Sequence, residues 1–315
     1  MKQVRLKKGI NLGGWMSQCD YSEERLNGFI TEADFEKIAS WGMDHVRLPI
    51  DYNVIQNEDG SMKEEGLERI DKAAALAEKH GLAILLDLHK TMGYSFDKGE
   101  NEAGFFKDEK LQECFYRIWE TFASRYGGRP DRIYFELLNE IVEKTDLGQW
   151  KKISNECIGR IRKHAPDSYV LVGSYHWNAV TTVKELDPPF DGRVIYNFHC
   201  YEPLRFTHQG AYWMDEEFQK LRLPFRDSGA TEEFFDELFA SAIEKAEKEG
   251  TCLYCGEYGV IDVASPGDAL EWYKVIHKAF EKYDIGHAAW SYKEMDFGIS
   301  DPRMDAVREE LLKYL

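Results

Sequence analysis

The sequence predicts an α/β fold, a single (β/α)8 barrel of the TIM type. Short apolar runs alternate with long amphipathic ones along the whole chain, the pattern of a parallel sheet wrapped by helices. The apolar runs are continuous rather than alternating, as in Leu82-Ala-Ile-Leu-Leu86, which is how a strand buried on both faces reads. Polar residues gather where these runs end, the place where this fold carries its sites.

Taken in order, the strands are predicted at Gly9–Gly13, His45–Ile50, Leu82–His89, Arg132–Glu140, Tyr169–Tyr175, Arg193–Tyr201, Thr251–Tyr258 and His287–Lys293. The first is followed by a helix over Thr31–Trp41, where Thr31 with Asp34 three residues on comes close to a capping box. Helices over Lys63–His80 and Glu232–Glu249 are each ended by a glycine, Gly81 and Gly250, suited to the left-handed C-terminal position. Others follow at Asp108–Tyr126, Gln149–His164 and Gly267–Tyr283, with a shorter one near Asn178–Leu186 and a last one over Met304–Leu315. The fold typically takes ~250 residues, which leaves about 65 of the chain for loops. The longest is an insertion at about 202–230. No linker, repeat or low-complexity segment interrupts the pattern, so residues 1–315 are expected to form one domain.

Composition narrows the ligand. The net charge is −17, from 57 acidic against 40 basic residues, a surface that repels phosphate backbones and argues against nucleic acid. A neutral ligand feels no such repulsion. Eight Trp and seventeen Tyr supply flat apolar faces with polar edges, as sugar sites require. No apolar run approaches the ~18 residues of a membrane span. Met1 to Lys8 is polar and basic with no apolar stretch behind it, unlike a signal peptide. The expectation is a cytoplasmic protein, or a secreted one whose leader has been removed. Six cysteines without a secretion signal read as thiols. Cys252 and Cys255 form a C-x-x-C, but three residues apart on a strand they point to opposite faces. They have no second ligand pair at zinc spacing, and no residue set implies a metal or organic cofactor.

The strand ends carry Arg47, Asp87-Leu-His89, Asn139-Glu140, His199 with Tyr201, Glu257 and Trp290. His199 and Tyr201, two apart, share a face, which turns Cys200 toward the helix layer. Glu140 and Glu257 end strands on opposite sides of the barrel mouth. Two carboxylates facing each other across a cleft suit glycoside hydrolysis, one protonated to help the leaving oxygen and one ionised to attack the anomeric carbon. His45, His80, His164 and His277 fall in or beside helices and strand starts and read as structural; Trp41, Trp119 and Trp272 read as packing.

The motifs Gly9-Ile-Asn-Leu-Gly-Gly-Trp15, Val46-Arg-Leu-Pro49, Leu138-Asn-Glu140, Tyr196-Asn-Phe-His-Cys-Tyr201, Tyr254-Cys-Gly-Glu-Tyr-Gly259 and Ala289-Trp-Ser-Tyr292 stand in order, one per strand end. In this set the chain resembles glycoside hydrolase family 5, the cellulase family. Within it, Gly9–Trp15, Thr207-His-Gln209 and Tyr283-Asp-Ile-Gly286 resemble the clostridial endoglucanase C type. The resemblance implies Glu140 as acid/base, Glu257 as nucleophile and Asn139 as a ligand of the sugar 2-hydroxyl. It implies Arg47 and Tyr201 against the nucleophile, His199 near Glu140, His89 on the sugar at the cleavage site and Trp290 as the platform beneath it. Lys90 follows His89 where relatives often carry histidine or asparagine, and the 202–230 segment is shorter than the insertion expected of that type. Trp15, Trp177, Trp213 and Lys293 are candidates for outer sugar positions.

The expected activity is endo-acting, configuration-retaining hydrolysis of β-1,4-glucan, in cellulose-type or mixed-linkage chains. The rivals are the same machinery on mannan, xyloglucan, β-1,3-glucan or imported β-linked oligosaccharides, a sugar-binding barrel without catalysis, and a metal-dependent lyase. The two carboxylates argue against the second, and the lack of acidic ligand clusters against the third. The sequence assigns no oligomeric state.

Overall fold

The computed structural model describes residues 6–97, 100 and 102–315. Eight parallel strands close into a barrel in chain order, with the last bonded to the first. They are β1 (Lys8–Asn11), β2 (His45–Asp51), β3 (Ala83–Lys90), β4 (Ile133–Glu136), β5 (Val170–Val172), β6 (Val194–Cys200), β7 (Leu253–Tyr258) and β8 (Gly286–Ala289). Every strand residue except Lys8 is buried, which is why the strands read as unbroken apolar runs. Long helices at Glu32–Ser40, Glu64–Lys79, Glu109–Tyr126, Leu147–His164, Glu232–Glu249 and Pro266–Lys282 form the shell. Asp34 closes the capping box on Thr31, and Gly250 takes the left-handed turn at φ 67°. Among the described residues no helix is long and apolar enough to cross a membrane.

Several predicted elements differ, among them β5 and β8, which end at Val172 and Ala289 rather than at Tyr175 and Lys293. After β5 a 3₁₀ segment, Val180–Glu185, stands where a helix was expected. The last helix reduces to a 3₁₀ turn, Pro302–Met304, and a single turn, Arg308–Leu311. Val307 leaves helical geometry at φ −123°, and Arg308 turns its guanidinium to the carbonyls of Ile299 and Asp301 at 2.9 and 2.7 Å. The 202–230 loop is built of short turns at Leu204–Thr207, Glu216–Lys220 and Phe225–Asp227, tied together by Gln209. β4 ends at Glu136 rather than Glu140, because three-residue β5 offers it no longer ladder.

The interior is layered. At the base, Leu6, Ala83, Leu85, Tyr134, Leu171, Ile195, Cys252, Tyr254 and Ala288 fill the barrel. Residues of opposite parity, such as Val46, Leu48, Ile84, Leu86, Phe135, Phe198 and Cys255, pack against the helices. Cys252 and Cys255 thus lie on opposite faces, and Cys200 faces the helix layer. Gly9 is required at the base, where an added Cβ would stand 2.2 Å from His45 Nε2. That ring is pinned between Asp44 and the Tyr254 hydroxyl, at 2.5 and 2.6 Å. Following the inward parity upward reaches Asn11, Arg47, Asp87, Glu136 and Asn197. This polar layer is fully buried and supports the site.

Candidate active site

Arg47 is the centre of that layer, and all five of its N–H donors are used. Nε and Nη2 grip Glu136 at 2.7 and 2.8 Å. Nη1 donates to Asn11 Oδ1 at 2.9 Å and to Glu257 Oε1 at 2.7 Å. Nη2 also donates to Asn139 Oδ1 at 2.8 Å and lies 3.0 Å from Asp87 Oδ2. A buried guanidinium is tolerable only when so fully paired, and its carboxylates hold it well above its ordinary range. One cation faces three carboxylates here. Burial pushes Glu136 and Asp87 each up to about 8. Glu136 accepts a third donor, Asn197 Nδ2 at 2.7 Å, which favours its ionised form. Asp87 Oδ1 has no donor, so Asp87 is the group better placed to carry a proton.

Glu257 reaches this cluster through an irregularity in β7. By strict alternation it would face the helices, as Tyr258 does. The β6–β7 register shifts between Phe198 and His199, and the β7–β8 register between Cys255 and Tyr258, so Gly256 and Glu257 both turn inward. The Gly256 N–H donates to Asn197 Oδ1 at 3.1 Å, and its carbonyl accepts from Asn11 Nδ2 at 2.9 Å. A side chain at 256 would meet Asn197 Oδ1 at 2.9 Å and His199 Nε2 at 3.0 Å. The Tyr201 hydroxyl donates to Glu257 Oε2 at 2.9 Å, so each carboxylate oxygen of Glu257 has a donor.

Glu140 stands opposite. Oxygens of Glu140 and Glu257 lie within 4.8 Å of one another. Glu140 Oε1 is 2.7 Å from His199 Nδ1. Burial, and then the charge of Glu257, hold the Glu140 carboxyl well above the usual carboxylate range. Burial and Arg47 hold His199 well below its usual range, so the imidazole is neutral. In the tautomer whose Nδ1–H donates to Oε1, a protonated Glu140 carries its proton on Oε2. Asn139 has given its oxygen to Arg47, so its Nδ2 is left without a partner, as is His199 Nε2.

His89 Nδ1 lies 2.6 Å from Asp87 Oδ2, and burial pushes its pKa down to about 3, which makes it a neutral ring. It is parallel to Trp290 at 5.9 Å and meets the edge of Phe96 at 5.0 Å. Trp290 packs with Phe297, Ile261 and Ala211. The eight inner residues read from the sequence, Arg47, His89, Asn139, Glu140, His199, Tyr201, Glu257 and Trp290, are thus brought together.

The outer candidates are not. Trp15 is a core residue: its ring N–H donates to the Leu26 carbonyl at 2.8 Å and its ring lies in the main apolar cluster. Lys293 is engaged by Asp34 at 3.3 Å and by the Phe29 ring at 4.6 Å. Trp177 sits on the rim beside the Glu140 segment, donating its backbone N–H to Ile141 O. Trp213 is exposed on the 202–230 loop, reached from Tyr201 through His208. Lys90 is buried against Glu100 at 2.5 Å. Sequence reading passed over Glu136 and gave Asn11 and Asn197 no role. A lone acid in the apolar run Ile133–Leu138, on the inward parity of Tyr134, was the available signal for Glu136.

Among the described residues, Glu140, His199 and Glu257 form the one group whose donor atoms lie close enough to hold a metal ion. Arg47 at 2.7 Å already neutralises Glu257, and His199 Nδ1 is occupied by Glu140, so the set suits proton chemistry better.

On the sequence expectation that Glu140 is the acid of a glycoside hydrolase, its raised carboxyl predicts that activity on an unactivated glycoside persists well above the ordinary carboxylate range and then falls as pH rises through the Glu140 pKa. The alkaline limb of kcat/KM against pH checks this. It should vanish in Glu140→Gln assayed with an activated aryl glycoside, and its persistence there would assign the limb to another group.

Comparison with known proteins gives a consistent set. A family model described as cellulase (glycosyl hydrolase family 5) matches residues 7–296. Cellodextrinase A of Ruminococcus flavefaciens is 58% identical over 285 residues, covering 90% of this chain and 85% of that one. Endoglucanase C of Acetivibrio thermocellus is 37% identical over an alignment of 339 positions, covering 99% and 98%. Among solved structures, endoglucanase Cel5A of the hyperthermophile Thermotoga maritima has a TM-score of 0.84 at 25% identity, covering 98% of this chain and 97% of that one. The cellulose synthase subunit Z of Clostridioides difficile has a TM-score of 0.84 at 26% identity, covering 98% and 99%.

Proposed function

The chain belongs to the cellulase family, glycosyl hydrolase family 5, and we propose that it is a retaining β-glucanase cutting β-1,4-glucosidic bonds, with Glu257 as nucleophile and Glu140 as acid/base. The observation that carries this reading is the carboxylate pair. Retaining enzymes place their carboxyl groups ~5–5.5 Å apart and inverting ones ~6.5–9.5 Å apart. Here an oxygen of one lies within 4.8 Å of an oxygen of the other, which favours the short separation of the retaining class.

The environments assign the roles. Glu257, which accepts from Arg47 on one oxygen and from Tyr201 on the other, attacks the anomeric carbon. The glycosidic oxygen leaves with the proton of Glu140. A water then gives its proton back to Glu140 and attacks the glycosyl–Glu257 ester, and Glu257 leaves as carboxylate. Two inversions give net retention. In this reading Asn139 is the ligand of the sugar 2-hydroxyl and Trp290, packed on Phe297, Ile261 and Ala211, is the apolar floor beneath the sugar.

The substrates proposed are cello-oligosaccharides together with longer β-1,4-glucan. The relative named cellodextrinase A, 58% identical, supports short chains, and the one named endoglucanase C supports internal cleavage of long ones. The test is NMR of the first-formed product from cellopentaose. The new reducing end should appear as the β-anomer, and an initial α-anomer would overturn the mechanism. Rates on cellotetraose to cellohexaose compared with soluble polymer decide between the two chain-length classes.

A further inference from the structure

Glu140 does not stand on a strand. The segment Asn139–Val142 lies beyond β4 and outside any helix. Its backbone carbonyls are nevertheless all held, one by one, by two places in the fold. Asn139 O accepts from Asn178 Nδ2 at 3.1 Å, and Glu140 O from the Tyr94 hydroxyl at 2.6 Å. Ile141 O accepts from the Trp177 N–H at 3.0 Å, and Val142 O from the His176 N–H at 3.1 Å. The Val142 N–H closes the set by donating to the Tyr94 oxygen at 2.9 Å.

Three of these donors come from a single unusual turn. His176, Trp177 and Asn178 are consecutive non-glycine residues in the left-handed region, at φ 56°, 51° and 59°. Asparagine tolerates that conformation and tryptophan gains nothing from it, so the turn is strained. Strain of this kind persists only where the surroundings over-determine it, and it clusters at functional sites. Asn178 is where the surroundings converge. It is fully buried, and its Oδ1 accepts from the Ser174 N–H at 2.8 Å. Its carbonyl accepts the His199 N–H at 2.9 Å. Gly173 makes room for it, since a Cβ there would stand 1.9 Å from Asn178 Oδ1. One side chain and its own backbone therefore bind both the segment that carries Glu140 and the strand that carries His199.

We propose that Tyr94 and Asn178 are positioning residues for the acid/base. Tyr94 fixes the Glu140 backbone from the β3 side, and Asn178 locks it to His199 from the β5 side, so that the Glu140–His199 hydrogen bond and the approach to Glu257 are set before substrate arrives. The proposal rests on the reading of Glu140 as acid/base. Neither residue touches the reacting atoms; both act through the placement of one carboxyl, where a misplacement of ~1 Å costs about a hundredfold in rate.

Two variants on separate elements test it. Tyr94→Phe removes one oxygen and leaves the ring among Phe105 and Phe106. Asn178→Gly removes both side-chain bonds and accepts the left-handed backbone without strain. Each should lower kcat/KM on cellotetraose about ten- to a hundredfold, while kcat/KM for dinitrophenol release from an activated aryl β-cellobioside, which reports only the glycosylation step, changes by less than about threefold. In a Glu140→Gln background, where no acid remains to be placed, each should cost less than about twofold on cellotetraose. A parallel loss on both substrates, or an undiminished loss in the Glu140→Gln background, overturns the proposal and leaves the two residues structural. If Asn178→Gly lowers the melting temperature so far that it cannot be assayed folded, Tyr94→Phe decides alone. Normal glucan activity in Glu140→Gln itself would instead sink the underlying reading.

Discussion

Glu257→Gln is expected to abolish hydrolysis of every β-glucoside, by a factor on the order of 10⁵ or more, because it removes the atom that attacks in the proposed mechanism. The fold should be untouched. Glutamine keeps an oxygen for Arg47, and its amide can donate to the Tyr201 hydroxyl, which then accepts where it now donates. No leaving group, however activated, should restore the rate, and no covalent adduct should accumulate. A second consequence follows from the same charge. The Glu140 carboxyl is raised first by burial and then by Glu257. Without that charge the burial contribution remains, so the Glu140 pKa should fall part of the way toward the ordinary value. NMR titration of the Glu140 carboxyl in wild type and variant checks this. An unchanged Glu140 titration would mean that burial alone raises it, and residual burst activity would mean that Glu257 is not the nucleophile.

The barrel was legible because a strand buried on both faces leaves a continuous apolar run, and eight such runs ending in polar residues leave few alternative folds. The inner ring was legible for the same reason: a polar residue at the end of a buried strand has no structural excuse. Less could be read where side chains rather than periodicity decide the backbone. The Arg132–Glu140 run looks like one strand, but the regular ladder covers only Ile133–Glu136; beyond it Leu137 and Asn139 each keep one bond to a neighbouring strand, and Tyr94 and Asn178 hold the carbonyls of Glu140 and Asn139. The inward aim of Glu257 depends on the Gly256 irregularity, which alternation alone would have turned the wrong way. Trp15 is adjacent to a site motif in sequence and was read as a sugar contact. In the fold its ring points into the core with its N–H on Leu26, and no pattern of aromatic residues distinguishes those outcomes. Glu136 was hidden by the opposite habit, since attention to strand ends overlooks an acid one layer down whose partner, Arg47, comes from two strands away.

Glu140→Gln should fail for a different reason from Glu257→Gln, and the difference depends on the leaving group. In the proposed mechanism Glu140 donates its proton to the departing oxygen, so on cello-oligosaccharides, whose leaving group is a sugar alcohol, the loss should be about 10²–10⁴-fold, the usual worth of general acid catalysis. A dinitrophenyl β-cellobioside departs without a proton. With it, Glu257 can still attack, held by Arg47 and Tyr201 as before, and one equivalent of phenol should appear in a burst. Turnover then stalls, because the glutamine cannot take a proton from the water that must open the glycosyl–Glu257 ester. Mass spectrometry of the stalled enzyme should show the added cellobiosyl group on the peptide containing Glu257. Azide needs no deprotonation to attack, so it should relieve the stall and give a β-glycosyl azide. The local structure supports a clean substitution. The glutamine oxygen can accept from His199 Nδ1 as Glu140 Oε1 does at 2.7 Å, so His199 need not move. If Glu140→Gln gave neither burst nor adduct while Glu257→Gln gave both, the two glutamates would have to exchange roles, and the bonds from Arg47 and Tyr201 to Glu257 would need another explanation.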